Sequence, residues 1–536
     1  MIVNKSMYPL QTGFSVISKM QSKMGNLQTQ LGTGMKAGSL AEMGRDLPMS
    51  LSVRSRLDKI EGYAANIQTV NLRLSFLDKT MSRFDTMEGE ARNSAIQGQY
   101  GTNDISMATL PGQAAARFDE IVTMLNQDIA GRYLFGGNVT DTPPLPDAKV
   151  LLEGEGGRLG FKQMLAERQS ADLGNGLGRL DLPAVAAGSG EVVVAQDGTH
   201  PFGFKLSTTS TTGAPAIAVT QPGATGQVSV SFTAQPTPGQ SVTIGLTLPD
   251  GTETQVTLVA SAEDNPGRGA FSIDADPDVM AQNFRSALQG ALAEAAGSTL
   301  KAASTFAAAA DFFSESGVPQ RPAGGPPATT LADADPAEVV FWYRGEKEGD
   351  ARSGVAAKVD DSTTIQYGLR ATESGILKLV QSQAALAVTK YSSEADIRAK
   401  PENEQMRVDA HALPAGSARD AALAEYERVV GSQYQQSRGL FDGMADRQQS
   451  ALSESHNSSP GSVERITMDL AIARNAANNA SKRHTDYKAQ LENILSDVET
   501  VSKEDVAMEI LALQTRLQAS YQVTSMVSQL SLVNFV

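Results

Sequence analysis

The chain has 536 residues, carries 60 acidic against 45 basic side chains for a net charge of −15, and contains no cysteine. That balance argues against a nucleic-acid-binding surface, and the missing thiols exclude disulfides, thiolate metal sites and cysteine nucleophiles. The first ten residues lack an apolar run behind a basic start, and no uncharged apolar run is long enough to cross a bilayer, so neither a cleaved signal peptide nor membrane insertion is expected.

Along the first 45 residues, Phe14, Ile17, Met20, Met24, Leu27 and Leu31 step by three and four, the spacing of an amphipathic helix. Leu31-Gly32-Thr33-Gly34 breaks it. From about 50 to 98 the pattern returns through Leu57, Ile60, Ala64 and Ile67, slips once, and continues through Val70, Leu74, Leu77, Met81 and Phe84. Such a helix would be about 70 Å long at ~1.5 Å per residue. A turn is expected at 98–103, then a third helix with Pro111 in its first turn. It carries Ala114, Phe118, Ile121, Leu125 and Ile129 and stops at Gly131.

The run Gly131-Arg132-Tyr133-Leu134-Phe135-Gly136-Gly137 reads as a short aromatic strand, and Pro143, Pro144 and Pro146 mark a boundary behind it. The texture then changes. Runs at 191–195, 226–233, 241–248 and 254–260 alternate and are rich in Val and Thr, and Asp250-Gly251 between two of them is a hairpin signal. Helices are expected over 276–295 and 301–313, a Gly/Pro linker over 323–327, and a second aromatic strand at 339–343. Helical patterning resumes at Ser374 with Ile376, Leu379, Val380, Ala384 and Leu386, followed by two helices at about 418–431 and 435–455 and a turn at 457–461.

The longest uninterrupted pattern comes last. Val463, Ile466, Leu470, Ala473, Ala477, Ala480, His484, Tyr487, Leu491, Ile494 and Val498 keep alternating steps of three and four, which places one apolar seam along a helix that needs a partner. Ser502 with Asp505 signals a new helix start. That helix carries Val506, Ile510, Leu513, Leu517 and Tyr521, then Val523, Met526, Leu530 and Val533. The expected fold is mainly α with an inserted β-rich lobe, its long N- and C-terminal helices paired as a coiled-coil bundle. The segments are 1–140, 141–360 (the lobe), 361–459 and 460–536.

Chemistry is thin along this chain. His200, His411, His456 and His484 lack metal-ligand spacing. His484 sits on the seam as a packed histidine, and Asp360-Asp361 reads as a loop cap. No phosphate-cradling glycine loop is present. No catalytic, cofactor-binding or metal-binding residue is assigned, and an enzyme is not expected.

The N-terminal Leu31-Gly32-Thr33-Gly34-Met35-Lys36, the C-terminal run from Leu491 to Glu499 and the closing Leu511 to Leu532 resemble the bacterial flagellin family. Within it, Gly131 to Gly137 and the apolar end from Leu530 to Val536 are most similar to the members that join hook to filament. Val359-Asp360-Asp361 and Tyr367-Gly368-Leu369-Arg370-Ala371 are similar too. The resemblance covers roughly 1–140 and 355–536 and omits the lobe. Where the family often has Asp-Asp-Pro, this chain reads Gly44-Arg45-Asp46-Leu47-Pro48. The resemblance implies an extracellular structural subunit of the flagellum, at the hook–filament junction or, as the alternative within the family, in the filament itself, exported uncleaved through the type III channel. Its partners would be its own copies, the hook-side junction protein, flagellin and an export chaperone, with no nucleic acid. The residues assigned to helix pairing are Leu57, Ile60, Ile67, Leu74, Ile466, Leu470, Ala477, Leu491, Ile494, Ile510, Leu513, Leu517 and Leu530. A lobe that binds glycans or host surfaces, drawing on Trp342, is the alternative from another class.

Overall fold

The computed structural model describes residues 8–100, 103–223 and 226–533, with side chains over 11–95, 107–223 and 226–527. The chain is mainly helical, with several small sheets and long helices towards both termini. In chain order the helices are α1 Tyr8–Thr33, α2 Leu47–Tyr100, α3 Asn103–Leu125, α4 Ala148–Glu153, α5 Phe161–Leu173, α6 Pro277–Ala295 and α7 Lys301–Phe312. Then come α8 Ser374–Val388, α9 Glu394–Arg398, α10 Pro401–Ala412, α11 Ser417–Ala451, α12 Val463–Glu499 and α13 Lys503–Val533.

The strands are β1 Asp128–Ile129, β2 Arg132–Tyr133, β3 Leu180–Asp181, β4 Glu191–Gln196, β5 Lys205–Thr211, β6 Ile217–Val219 and β7 Gln227–Phe232. They continue as β8 Ser241–Thr247, β9 Glu253–Ser261, β10 Ala270–Ser272, β11 Gln320–Ala323, β12 Thr330–Asp333, β13 Ala356–Lys358 and β14 Thr364–Gln366.

Two compact units result. Unit 1 gathers Met1–Leu72, Ala357–Ile365 and Ala473–Val536; unit 2 gathers Arg73–Ala356 and Gln366–Ile472. Two of the cuts fall inside α2 and α12, whereas composition suggested boundaries in the loops near 140, 360 and 460.

In unit 1 the terminal helices pack on each other. Ile17 and Leu27 of α1 form one buried cluster with Val506, Ile510, Leu513 and Leu517 of α13. Val53 and Ile60 of α2 form another with Leu491 of α12, and Leu57 and Leu495 pack against it. Helical steps of three and four explain both, because they return a side chain to the same face about every turn. Gly34 ends α1 in a left-handed conformation at φ +74°, which a side chain adopts only with strain.

Unit 2 holds the lobe and the inner helices. Two four-stranded sheets, ordered β3-β4-β7-β6 and β10-β9-β8-β5, share one core with α6. The antiparallel β8–β9 pair turns at Asp250-Gly251, as the dipeptide suggests, with Gly251 at φ +78°. Arg447 of α11 holds that turn, donating to Asp250 at 2.5 Å and to the Thr252 hydroxyl at 2.8 Å.

Several expected elements are corrected. Pro111 lies inside α3, not in its first turn, because the helix already begins at Asn103. Burial of Leu110, Ala114, Phe118 and Ile121 offsets the lost N–H. The helix ends at Leu125, so Ile129 belongs to β1; Ala130 and Gly131, both at positive φ, turn that strand into β2. The aromatic run forms only the two-residue strand β2, and helix persists to Tyr100 where a turn was expected from 98. The two helices expected over 418–455 are one, α11, since Gly431 alone costs about 1 kcal/mol and stops nothing. Tyr426 and Val430 are buried with Ile397, and Tyr434 packs against the same cluster beyond that glycine. The polar sequence hid α9 and α10. The 323–327 stretch is not a linker: Ala323 ends β11, and 324–327 lie in the loop of the β11–β12 hairpin.

The aromatic run at 339–343 makes a single bridge to Leu159 and no strand. Neighbouring Trp342 and Tyr343 are both buried, so the side chains do not alternate. The Trp342 indole donates to the Ser314 carbonyl at 3.0 Å and meets the Phe313 ring edge-on at 5.7 Å. A tryptophan so enclosed offers no face to a sugar.

Candidate assembly site

The residues assigned to helix pairing divide by where the helices turn them. Ile60, Ile67, Ala477, Leu491, Ile510, Leu513 and Leu517 of unit 1 are buried, Leu57 partly so; Leu74, Ile466 and Leu470 are buried in unit 2. Leu530 lies outside the described side chains. Ile494 is a correction: it is 37 % exposed while Leu491 is 3 % exposed. A helix turns 3.6 residues per cycle, so a strict alternation of three and four drifts off the facing helix. After Leu491 the inward positions become Leu495 and Glu499, and Tyr487, also expected on the seam, is turned out to accept a hydrogen bond from Arg56 at 3.0 Å. Along α13, Tyr521, Val523 and Met526 are exposed; Leu530 and Val533, the rest of the expected shifted stripe, lie outside the described side chains.

Sequence reasoning missed the polar joint at the end of α12. Arg54 donates to both carboxylate oxygens of Glu499, at 2.8 and 2.6 Å, and Ser50 donates to the same group at 2.5 Å. The Arg54 hydrogen bond, reinforced by that from Ser50, holds the Glu499 carboxyl below its ordinary range. Beside it, Met35 and Thr500 form an antiparallel bridge, flanked by Val501 N–H donating to Gly34 at 3.0 Å and Lys36 N–H donating to Glu499 at 2.8 Å. The Lys36 ammonium donates to the Asp497 carbonyl at 2.7 Å. The break after α1 and the break after α12 are therefore tied together. A cavity of about 390 Å³ opens beside them, lined by Met35, Leu40, Met43, Arg54 and Glu499 among others. The only sequence signal was the glycine pair at 32 and 34; the glutamate lies one residue beyond the expected seam.

A second polar group surrounds Asp360-Asp361. The dipeptide does cap its own turn, through Asp361 N–H donating to Asp360 at 2.7 Å. It also reaches two helices. Asp361 pairs with Lys59 and accepts from the Tyr63 hydroxyl at 2.8 Å; Asp360 accepts from Arg483 at 3.1 Å. His484 donates through Nε2 to the Val359 carbonyl at 2.7 Å, and its ring stacks on Tyr63 at 5.5 Å. Lys59, foremost, and Tyr63 hold the Asp361 carboxyl low, while the Asp361 amide and then Arg483 do so for Asp360.

These carboxylates are engaged in holding helices. Among the described residues no group of three or more His, Cys, Asp or Glu is placed to hold a metal ion. No described helix is long and apolar enough to cross a membrane. Unit 1 instead leaves large apolar side chains in solvent: Phe14 and Val16 on α1, and Met508 and Leu511, 62 % and 63 % exposed, on α13. No family model matches the chain, and neither does any curated protein.

Proposed function

We propose that the protein is an extracellular structural subunit of the bacterial flagellum, a flagellin-family member placed at the hook–filament junction and polymerising through its terminal helices. The observation that carries this reading is the division of apolar side chains in unit 1. One stripe, Ile17 and Leu27 with Val506 to Leu517, is buried between α1 and α13. Phe14, Val16, Met508, Leu511, Val523 and Met526 face solvent. Exposed apolar surface on paired helices favours burial against further subunits. The motif resemblance selects the flagellar axis, with the hook-side junction protein and flagellin as neighbours and type III export with a chaperone as the route.

Localisation tests the reading. In a deletion strain complemented with tagged protein, a single focus between hook and filament is expected, with free filament shed by the uncomplemented strain. Label along the whole filament would make the chain a filament flagellin. Absence of label from flagella would overturn the proposal. The glycan-binding alternative loses its main support with Trp342 enclosed in the core of unit 2.

A further inference from the structure

Unit 1 takes one stretch from the middle of the chain, outside both of its helix pairs. Ala357–Ile365 enters from the strand pair β13–β14 and is nine residues of hairpin tip between two stretches assigned to unit 2. Its turn is closed by Val359 and Asp360 N–H groups, both donating to the Thr363 carbonyl, at 3.0 and 3.2 Å. Short tips of this kind gain little from their own ladder. Here every outward bond named above goes to a helix.

The tip touches α2 and α12 at the same level. On α2 it takes Lys59 and Tyr63 through Asp361, and Asn66 donates to the Lys358 carbonyl at 3.4 Å. On α12 it takes Arg483 through Asp360 and His484 through the Val359 carbonyl. Val359 is fully buried, and Tyr63 and His484, one from each helix, stack beside it. Below this level the α2–α12 contact is held by Lys488 with Glu61 at 2.8 Å and by the Leu491 cluster.

We propose that Ala357–Ile365 is an ionic clip that keeps α2 and α12 paired in the unassembled chain, with an outer part released by salt and an inner part that salt does not reach. The outer part is Lys59–Asp361 and Arg483–Asp360. Lys59, Asp361 and Arg483 side chains are each more than half exposed, so counter-ions screen them. The inner part is the His484–Val359 hydrogen bond, buried and therefore beyond that screening. The clip rests on the assembly reading only in its consequence, that opening it would loosen a helix pair needed for polymerisation. Its existence is a property of the isolated chain.

Hydrogen exchange of the full-length monomer tests it without any assembly step. Asp361→Lys and His484→Phe are each expected to speed exchange about threefold or more over 57–67 and 477–491. Amides over 506–517, in α13 against α1, should keep their rates. Lys59→Asp combined with Asp361→Lys should restore slow exchange, which mere loss of folding could not produce. Raising salt should move the wild type in the same direction as Asp361→Lys but less far, since screening removes the attraction without adding repulsion toward Lys59; at low salt His484→Gln, which keeps a donor for the Val359 carbonyl, should stay near wild type. Unchanged exchange in both single variants would overturn the clip, as would equal acceleration over 506–517. Failure of the wild-type chain to enter flagella, with the variants' exchange accelerated as expected, would count against the proposed function and leave the clip standing.

Discussion

Arg54 and Glu499 lie 445 residues apart in the chain and meet as a two-point ion pair, 2.8 and 2.6 Å long, at the joint where α12 ends. Glu499 is nearly enclosed and Arg54 is about half exposed, so the pair works at the boundary between dry and wet surroundings. A folded pKa held below the ordinary value contributes stability that is complete above that value, about 4.3 for a glutamate, and is lost as pH falls through the lower folded value. Unit 1 should therefore lose protection in acid below about pH 4.3. Glu499→Gln should remove part of that acid dependence and lower stability at neutral pH by about 1 kcal/mol. Exchange of the 499–501 amides against pH is the measurement.

The drift of the α12 seam has a direct consequence. Leu491→Ala should destabilise unit 1 by about 2–4 kcal/mol, the cost of a cavity in a buried cluster. Ile494→Ala should cost under about 1 kcal/mol. Equal losses in denaturant titrations of the two variants would mean that α12 faces α2 differently.

Ala477 has no exposed surface. Ala477→Glu places an uncompensated charge there, so a loss of about 3–5 kcal/mol is expected, with α2–α12 pairing and assembly failing together. Ala477→Ser, almost the same size, should be tolerated. Circular dichroism melts beside an incorporation assay read both.

Deleting 521–536 should abolish incorporation while leaving the lobe folded. Its sheets and α6 share a core made entirely of residues between 180 and 303. Exchange protection over β4, β7, β8 and β9 in the truncated protein should equal that of the full chain, and normal incorporation would remove the terminal helices from the assembly mechanism.

Trp342 is the chain's one tryptophan, fully buried beside the Phe313 and Tyr343 rings. Its emission should be blue-shifted, insensitive to added sugars and poorly quenched by iodide. Trp342→Phe removes one of two donors to the Ser314 carbonyl, the Gly317 N–H remaining at 3.0 Å, and leaves a gap beside Phe313; the two losses together should cost about 1–3 kcal/mol, read from the unfolding of unit 2.

Helical segments at the two ends were legible in the residues alone, and so was part of each apolar face; Phe14 and Leu31 on α1, expected on that face, are exposed. Ile60, Ile67, Leu470, Ala477, Leu513 and Leu517 are buried where a spacing of three and four places them, because that periodicity is local to one helix. Asp250-Gly251 was legible for the same reason, a turn being set by the conformations of two adjacent residues. What depends on contacts between distant parts of the chain became visible in the fold alone. That includes the drift that exposes Ile494, the joining of Gly34–Lys36 to Glu499–Val501, and the use of Asp360 and Asp361 to hold α2 and α12. It also includes the enclosure of Trp342. A charged side chain shows no periodicity that names its partner, and an aromatic one is equally suited to a core or a surface, so their roles appear only when the fold supplies the neighbours.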